Sequence, residues 1–144
     1  MNFFRKKAPV KEWAKSQSYE LEHAIGFMDA PFFRELFAEV LAGRRKLSAG
    51  FRDETMLREF FAGSAQAFDR FLDHISGKTC LEIGPCVASQ IADWDCAGRL
   101  IVIEPLIEPI EAWQRQNLGA SVYDGMIRFG IPAEKTIPEL VGAV

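Results

Sequence analysis

The stretch Arg99-Leu-Ile-Val-Ile-Glu104 constrains the fold more than any other part of the chain. Leu100, Ile101, Val102 and Ile103 form an unbroken aliphatic run, and β-branched residues favour extended backbone. A strand without polar alternation has no face to offer water, so it belongs in a parallel sheet covered on both sides. The neighbouring segments fit that sheet. Thr79–Ile83 is a shorter β-rich run ending in Gly84-Pro85, and Val87–Ala97 has helical composition with Gly98 at its end. Glu108–Leu118 is a second helix, opened by Pro109 and closed by Gly119. A third strand is expected around Ala120–Tyr123 or around Ile127–Gly130, and Ile137–Val144 can begin a further helix. Strand, helix, strand, helix, strand is the start of a doubly wound α/β sheet.

The first half of the chain follows a different grammar. Phe33, Leu36, Phe37, Val40 and Leu41 form one apolar helical stripe between a start at Asp29-Pro31 and a stop at Gly43. Upstream, Tyr19, His23, Ile25 and Phe27 follow a weaker helical pattern after Ser18. Downstream, Asp53 can cap a segment in which Leu57, Phe60, Phe61, Phe68, Phe71, Leu72 and Ile75 share a face, with Gly63 as a break and Gly77 as the end. Three or four helices with Phe-rich faces result. Residues 1–77 therefore read as a helical N-terminal region, and 78–144 as an α/β region.

Charge divides at the same place. Residues 1–78 carry a net charge of +2 and residues 79–144 a net of −5, and 11 of the 12 Phe lie before residue 72. The acidic second half opposes nucleic-acid binding there, and the basic cluster from Arg5 to Lys15 reads as a solvated terminus. No apolar run reaches the roughly 18 residues of a membrane span, and no apolar core follows the basic Met1–Lys7 as it would in a secretory signal. Cys80, Cys86 and Cys96 suit neither a disulfide framework nor, with two distant histidines, a zinc site. These features lead us to expect a cytoplasmic protein without a bound metal. His23 and His74, with no carboxylate or cysteine pattern around them, read as structural or exposed.

The chemistry concentrates in Cys80-Leu-Glu-Ile-Gly-Pro-Cys-Val-Ala-Ser89. A strand that ends in a glycine turn and feeds a helix presents backbone N–H groups to a ligand. Twenty residues beyond Gly84, Glu104 closes the second strand, where an acceptor-only carboxylate can take both hydroxyl protons of a ribose. A nucleoside ligand is the natural expectation. A dinucleotide site requires G-x-G-x-x-G, whereas the three positions here read Gly84, Cys86 and Ser89, which weighs against NAD or FAD.

Leu81-Glu82-Ile83-Gly84-Pro85 resembles the first motif of class I S-adenosylmethionine-dependent methyltransferases, an acidic-x-Gly-x-Gly-x-Gly pattern. Cys86 and Ala88 stand at its second and third glycine positions. The resemblance covers about residues 78–144 and implies a Rossmann-like sheet that binds S-adenosyl-L-methionine. It places Gly84, Pro85 and Cys86 along the amino-acid portion of the cofactor, next to Ile83 and Ala88, with Glu82 ordering the loop. It also gives the ribose to Glu104 of Ile-Glu-Pro105, and leaves Asp124 and Glu134 as alternatives for the adenine side. Cys86 reads as a small loop-filling residue rather than a nucleophile.

Sixty residues follow Gly84, room for about three strands of the family's seven. The expectation is therefore the first half of the fold, without the fourth-strand motif that faces the methyl acceptor. No catalytic residue or acceptor is named by the sequence, and the 144-residue chain is expected to be inactive. An alternative is a non-catalytic module that meets a second copy or another chain through its sheet edge or Phe-rich helices. A divergent NAD-type protein is the third reading.

Overall fold

The computed structural model describes residues 10–47, 65–95 and 97–132. Helix α1 (Val10–Asp29) begins earlier than its apolar pattern predicts, because residues 10–18 contain no Gly or Pro to stop it. It ends where the chain must. Ala30, preceding Pro31, is forced into extended backbone at φ −60° and ψ 134°, and Pro31 opens α2 (Pro31–Leu41). Gly43 closes α2 at φ +69°, with its N–H on the Val40 carbonyl and the Arg44 N–H on that of Glu39. This paired C-terminal closure requires the left-handed backbone that glycine adopts readily.

Helix α3 (Ala65–Ile75) carries the stripe Phe68, Phe71, Leu72 and Ile75, and Phe68 is buried. Both Phe68 and Phe71 meet Trp94 edge to face, with ring centroids 5.4 and 5.7 Å away. The expected cap at Asp53 and the positions Leu57, Phe60, Phe61 and Gly63 lie outside the described residues, as do Cys96, Glu134 and Ile137–Val144.

Strands β1 (Thr79–Ile83), β2 (Arg99–Ile103) and β3 (Ile127–Phe129) form a parallel sheet in that order. Leu81 pairs with Ile101 and Ile83 with Ile103; Ile101 and Ile103 pair in turn with Ile127 and Phe129. β2 is central, and Ile101, Val102 and Ile103 are buried, as its unbroken aliphatic run requires. Helix α4 (Gln90–Trp94) joins β1 to β2, and α5 (Ile107–Leu118) joins β2 to β3. The described residues thus form an α/β arrangement of five helices and a three-stranded sheet.

One expectation changes, and one pair of alternatives is decided. α4 has five residues instead of spanning Val87–Ala97, since Ser89 caps it at one end and Asp95, at φ +51°, ends it. The third strand is Ile127–Phe129, whereas Ser121–Tyr123 is a turn. The reason is local: the Asp124 carboxylate accepts from the Ser121 N–H at 2.9 Å and from Arg115 at 2.7 Å. The backbone bond from Ser121 and the Arg115 guanidinium hold that carboxyl below its ordinary value. Arg115 also meets Glu111, which reaches Arg128 on β3 at 2.7 Å, tying the strand to α5.

The main core lies where α1, α2 and α5 converge on Val102. Ala24 and Met28 of α1, Phe37 of α2, Ile107 and Ile110 of α5, and Tyr123 are all buried in it. Across the helices, Arg34 lies 6.0 Å from the Trp113 ring centroid and bonds Asp29 at 3.0 Å. Among the described side chains, α1 enters this core through its second half. Leu21, Ala24, Ile25, Phe27 and Met28 contribute, and none of residues 12–20 does. No helix among the described residues is long and apolar enough to cross a membrane.

Candidate functional site

Parallel strands gather the loops that follow them at one end of the sheet. There the β1–α4 loop, residues 84–89, meets the start of the β2–α5 connection. Glu104 joins the two. It is 6% exposed, and its carboxylate accepts the Cys86 N–H at 2.9 Å and the Leu106 N–H at 3.0 Å. Each carboxylate oxygen carries two lone pairs, so both retain capacity for a ligand hydroxyl.

The loop is held from three more directions. Glu82 accepts the Ser89 hydroxyl and, at 3.3 Å, the Gln90 N–H, which fixes where α4 begins. Ser89 accepts the Ala92 N–H at 3.0 Å. The fully buried Tyr123 donates its hydroxyl to the Cys86 carbonyl at 2.7 Å, and Gln114, also fully buried, donates its amide to the Val87 carbonyl at 2.9 Å. Burial and the neighbouring carboxylate of Glu104 push the Tyr123 phenol upward, so it remains a donor at neutral pH.

This bracing explains an unusual backbone. Gly84 lies at φ +69° and Cys86 at φ +61°, so Cys86 adopts the left-handed conformation that glycine takes without strain. Strain of about 1–2 kcal/mol in a non-glycine residue is maintained by bonds to its N–H and its carbonyl. Cys86→Gly is therefore expected to stabilise the fold by a net of about 0.5–1 kcal/mol after the added unfolded-state entropy. Cys86→Val should destabilise it, since a β-branched residue tolerates positive φ poorly. Thermal melts of both variants test this account, and a lower melting point for Cys86→Gly would contradict it. Desolvation and the Glu104 charge push the Cys86 thiol above the ordinary cysteine value, which disfavours the thiolate.

The braced loop and β2–α5 connection form one wall of a cleft of about 810 Å³, through Gly84, Cys86, Val87, Glu104, Pro105 and Leu106. The other wall is the inner face of α1, with Trp13, Gln17, Tyr19, Glu20, His23, Ala24 and Phe27. The volume is ample for a nucleoside-sized ligand. Among the described residues, its lining contains two carboxylates and no Lys or Arg.

The sequence-predicted residues divide around the loop. Gly84, Cys86, Glu104 and Pro105 line the large cleft; Glu82, Ile83, Pro85 and Ala88 line a smaller cavity of about 290 Å³, which Gly84 also touches. Asp124 lines neither: it precedes β3, and its carboxylate serves the turn and Arg115. Glu134 is outside the described residues. Sequence reasoning missed the α1 wall and the two anchors, Gln114 and Tyr123. Both had a readable sign. Trp13, Gln17, Glu20, Ala24 and Phe27 repeat on one helical face, and Gln114 continues the face of Ile107 and Ile110 with an uncharged polar residue.

The chain matches no protein-family model, no curated protein and no solved structure.

Proposed function

We propose that this chain binds S-adenosyl-L-methionine through a Rossmann-like sheet and belongs to a class I methyltransferase. The observation that carries the reading is the charge of the cleft. A dinucleotide brings a doubly negative pyrophosphate, which such sheets seat on a glycine-rich turn; here that turn reads Gly84, Cys86 and Ser89, and the lining adds Glu20 and, among the described residues, no Lys or Arg. A sulfonium and an ammonium meet the opposite situation: carboxylates and aromatic faces attract cations. Glu104 supplies free acceptor capacity for ribose hydroxyls, and the Gly84–Cys86 backbone leaves room for close approach. When bound, the cofactor supplies an electrophilic methyl group. The protein's part is to orient its two substrates and exclude water.

Thermal melts test the reading. S-adenosyl-L-methionine or its demethylated product, S-adenosylhomocysteine, at about 100 times the dissociation constant should add about 2.7 kcal/mol of stability. NAD should add none. A shift with NAD and none with either sulfur compound would overturn the proposal.

A second reading, an interaction module, has one specific feature in its favour. Leu81 is 39% exposed and Ile83 60%, both on one face of β1, which is an edge strand among the described residues. Sedimentation over a concentration series separates the readings. A self-associating chain that responds to no nucleoside supports the module.

A further inference from the structure

The first half of α1 is the least explained part of the molecule. A helix of 20 residues spans about 30 Å, and among the described side chains its core contacts begin at Leu21. The preceding turns still carry large aromatic side chains: Trp13 is 41% exposed and Tyr19 61%. Both line the large cleft opposite the braced loop, and the His23 ring lies on Tyr19 with centroids 4.1 Å apart. Exposed aromatic area on a helix that overhangs a ligand cleft is uncompensated apolar surface.

We propose that this overhang is a second subsite, which takes an uncharged, planar aromatic molecule bearing a hydroxyl group. Its ring rests on Trp13 and Tyr19, and its hydroxyl bonds His23. Three features of the cleft select that chemistry. The ring faces favour a planar apolar partner. Glu20 and Glu104 in the same lining reject an anionic partner such as an aromatic carboxylate. The third argument rests on the cofactor reading: the cofactor's sulfonium and ammonium already draw on the carboxylates of the cleft, so a second cation finds no free counter-charge and the neutral molecule is left. His23 is the lining group suited to the hydroxyl. Glu20 is already engaged by Ser16 at 3.2 Å and Gln17 at 3.0 Å, and on the cofactor reading the remaining acceptor capacity of Glu104 goes to the ribose. On the cofactor reading, the molecule held there is the methyl acceptor.

Titration calorimetry on the full chain, saturated with S-adenosylhomocysteine, tests the subsite with 5-hydroxyindole as the probe. Binding is expected, with cyclohexanol and indole-5-carboxylate at least 10-fold weaker. Trp13→Ala and Tyr19→Ala should each weaken 5-hydroxyindole about 10-fold and S-adenosylhomocysteine by no more than about 2-fold, because the residues assigned to the cofactor, Gly84, Cys86 and Glu104, lie on the opposite wall; both aromatic residues stand outside the core, so the fold is retained. His23→Leu should abolish the preference for 5-hydroxyindole over 5-methoxyindole, a readout that mere loss of packing would not move. Binding of S-adenosylhomocysteine without 5-hydroxyindole overturns the subsite and leaves the cofactor reading intact, as does 5-hydroxyindole binding indifferent to Trp13 and Tyr19. Failure of S-adenosylhomocysteine itself to bind overturns the cofactor reading on which the acceptor role rests.

Discussion

Glu104→Ala is expected to lose both the response to S-adenosylhomocysteine and a substantial part of the folding stability. The two effects have separate origins. The carboxylate receives the N–H groups of Cys86 and Leu106, and Glu104 itself is buried. Truncation leaves two donors without an acceptor, each worth about 1–3 kcal/mol of desolvation penalty. For a chain of this size the melting point should fall by roughly 5–15 °C. The ligand response disappears because the remaining lone pairs, which would take the ribose hydroxyls, are removed as well. Glu104→Gln separates the roles. Its amide oxygen can keep one backbone donor while its NH2 group opposes the other, so stability should lie between wild type and alanine. The lost carboxylate still weakens the ligand by at least 10-fold, as expected for charge-assisted hydrogen bonds replaced by neutral ones. Calorimetry below the lowered melting point, with circular dichroism to check the fold, measures both. Wild-type affinity in Glu104→Gln would remove Glu104 from the ribose and leave it as a loop clamp.

What could be read in the sequence depended on how far each signal reaches along the chain. Leu100–Ile103 specifies its own burial, so the central strand and the parallel sheet follow from composition alone. Gly84 and Glu104 are legible for a related reason: each directly follows a strand, and parallel pairing brings strand ends together. The third strand was ambiguous because Ser121-Val122-Tyr123 has strand-like composition. Its fate is decided by Asp124 and Gln114, which draw the Ser121 and Val122 N–H groups out of any ladder. Cys86 shows the same limit more sharply. A glycine announces positive φ in its name, whereas a cysteine reaches φ +61° only because Glu104, 18 residues on, and Tyr123, 37 residues on, hold its two peptide groups. The α1 wall was hidden by geometry instead of chemistry. Its stripe is visible, but whether a stripe becomes core or cleft depends on where the packing stops, here at Leu21.

The same reasoning makes Gln114 the residue whose loss should spread furthest. Its amide nitrogen donates to the Val87 carbonyl at 2.9 Å, and its oxygen accepts the Ser121 hydroxyl at 2.8 Å and the Val122 N–H at 3.1 Å. One fully buried side chain thus links α5, the β1–α4 loop and the turn before β3. Gln114→Leu preserves volume and helix propensity but strands those partners, at a cost of about 2–4 kcal/mol. The melting point should drop on the order of 10 °C, with hydrogen exchange accelerating at Val87–Ser89 and Val122–Tyr123 before the remainder of the sheet. Gln114→Glu provides a check that size cannot mimic. Among the described residues no Lys or Arg bonds the side chain at this position, so burial raises the folded-state pKa of a carboxylate there above the ordinary value of about 4.3. A raised acid binds more protons folded than unfolded, so the penalty is absent at low pH and grows as pH climbs above that value. Melts at pH 5 and pH 8 should show the larger deficit at pH 8. A Gln114→Leu protein that melts within about 2 °C of wild type, with unchanged exchange at Val87–Ser89, would mean that the loop stands without this anchor.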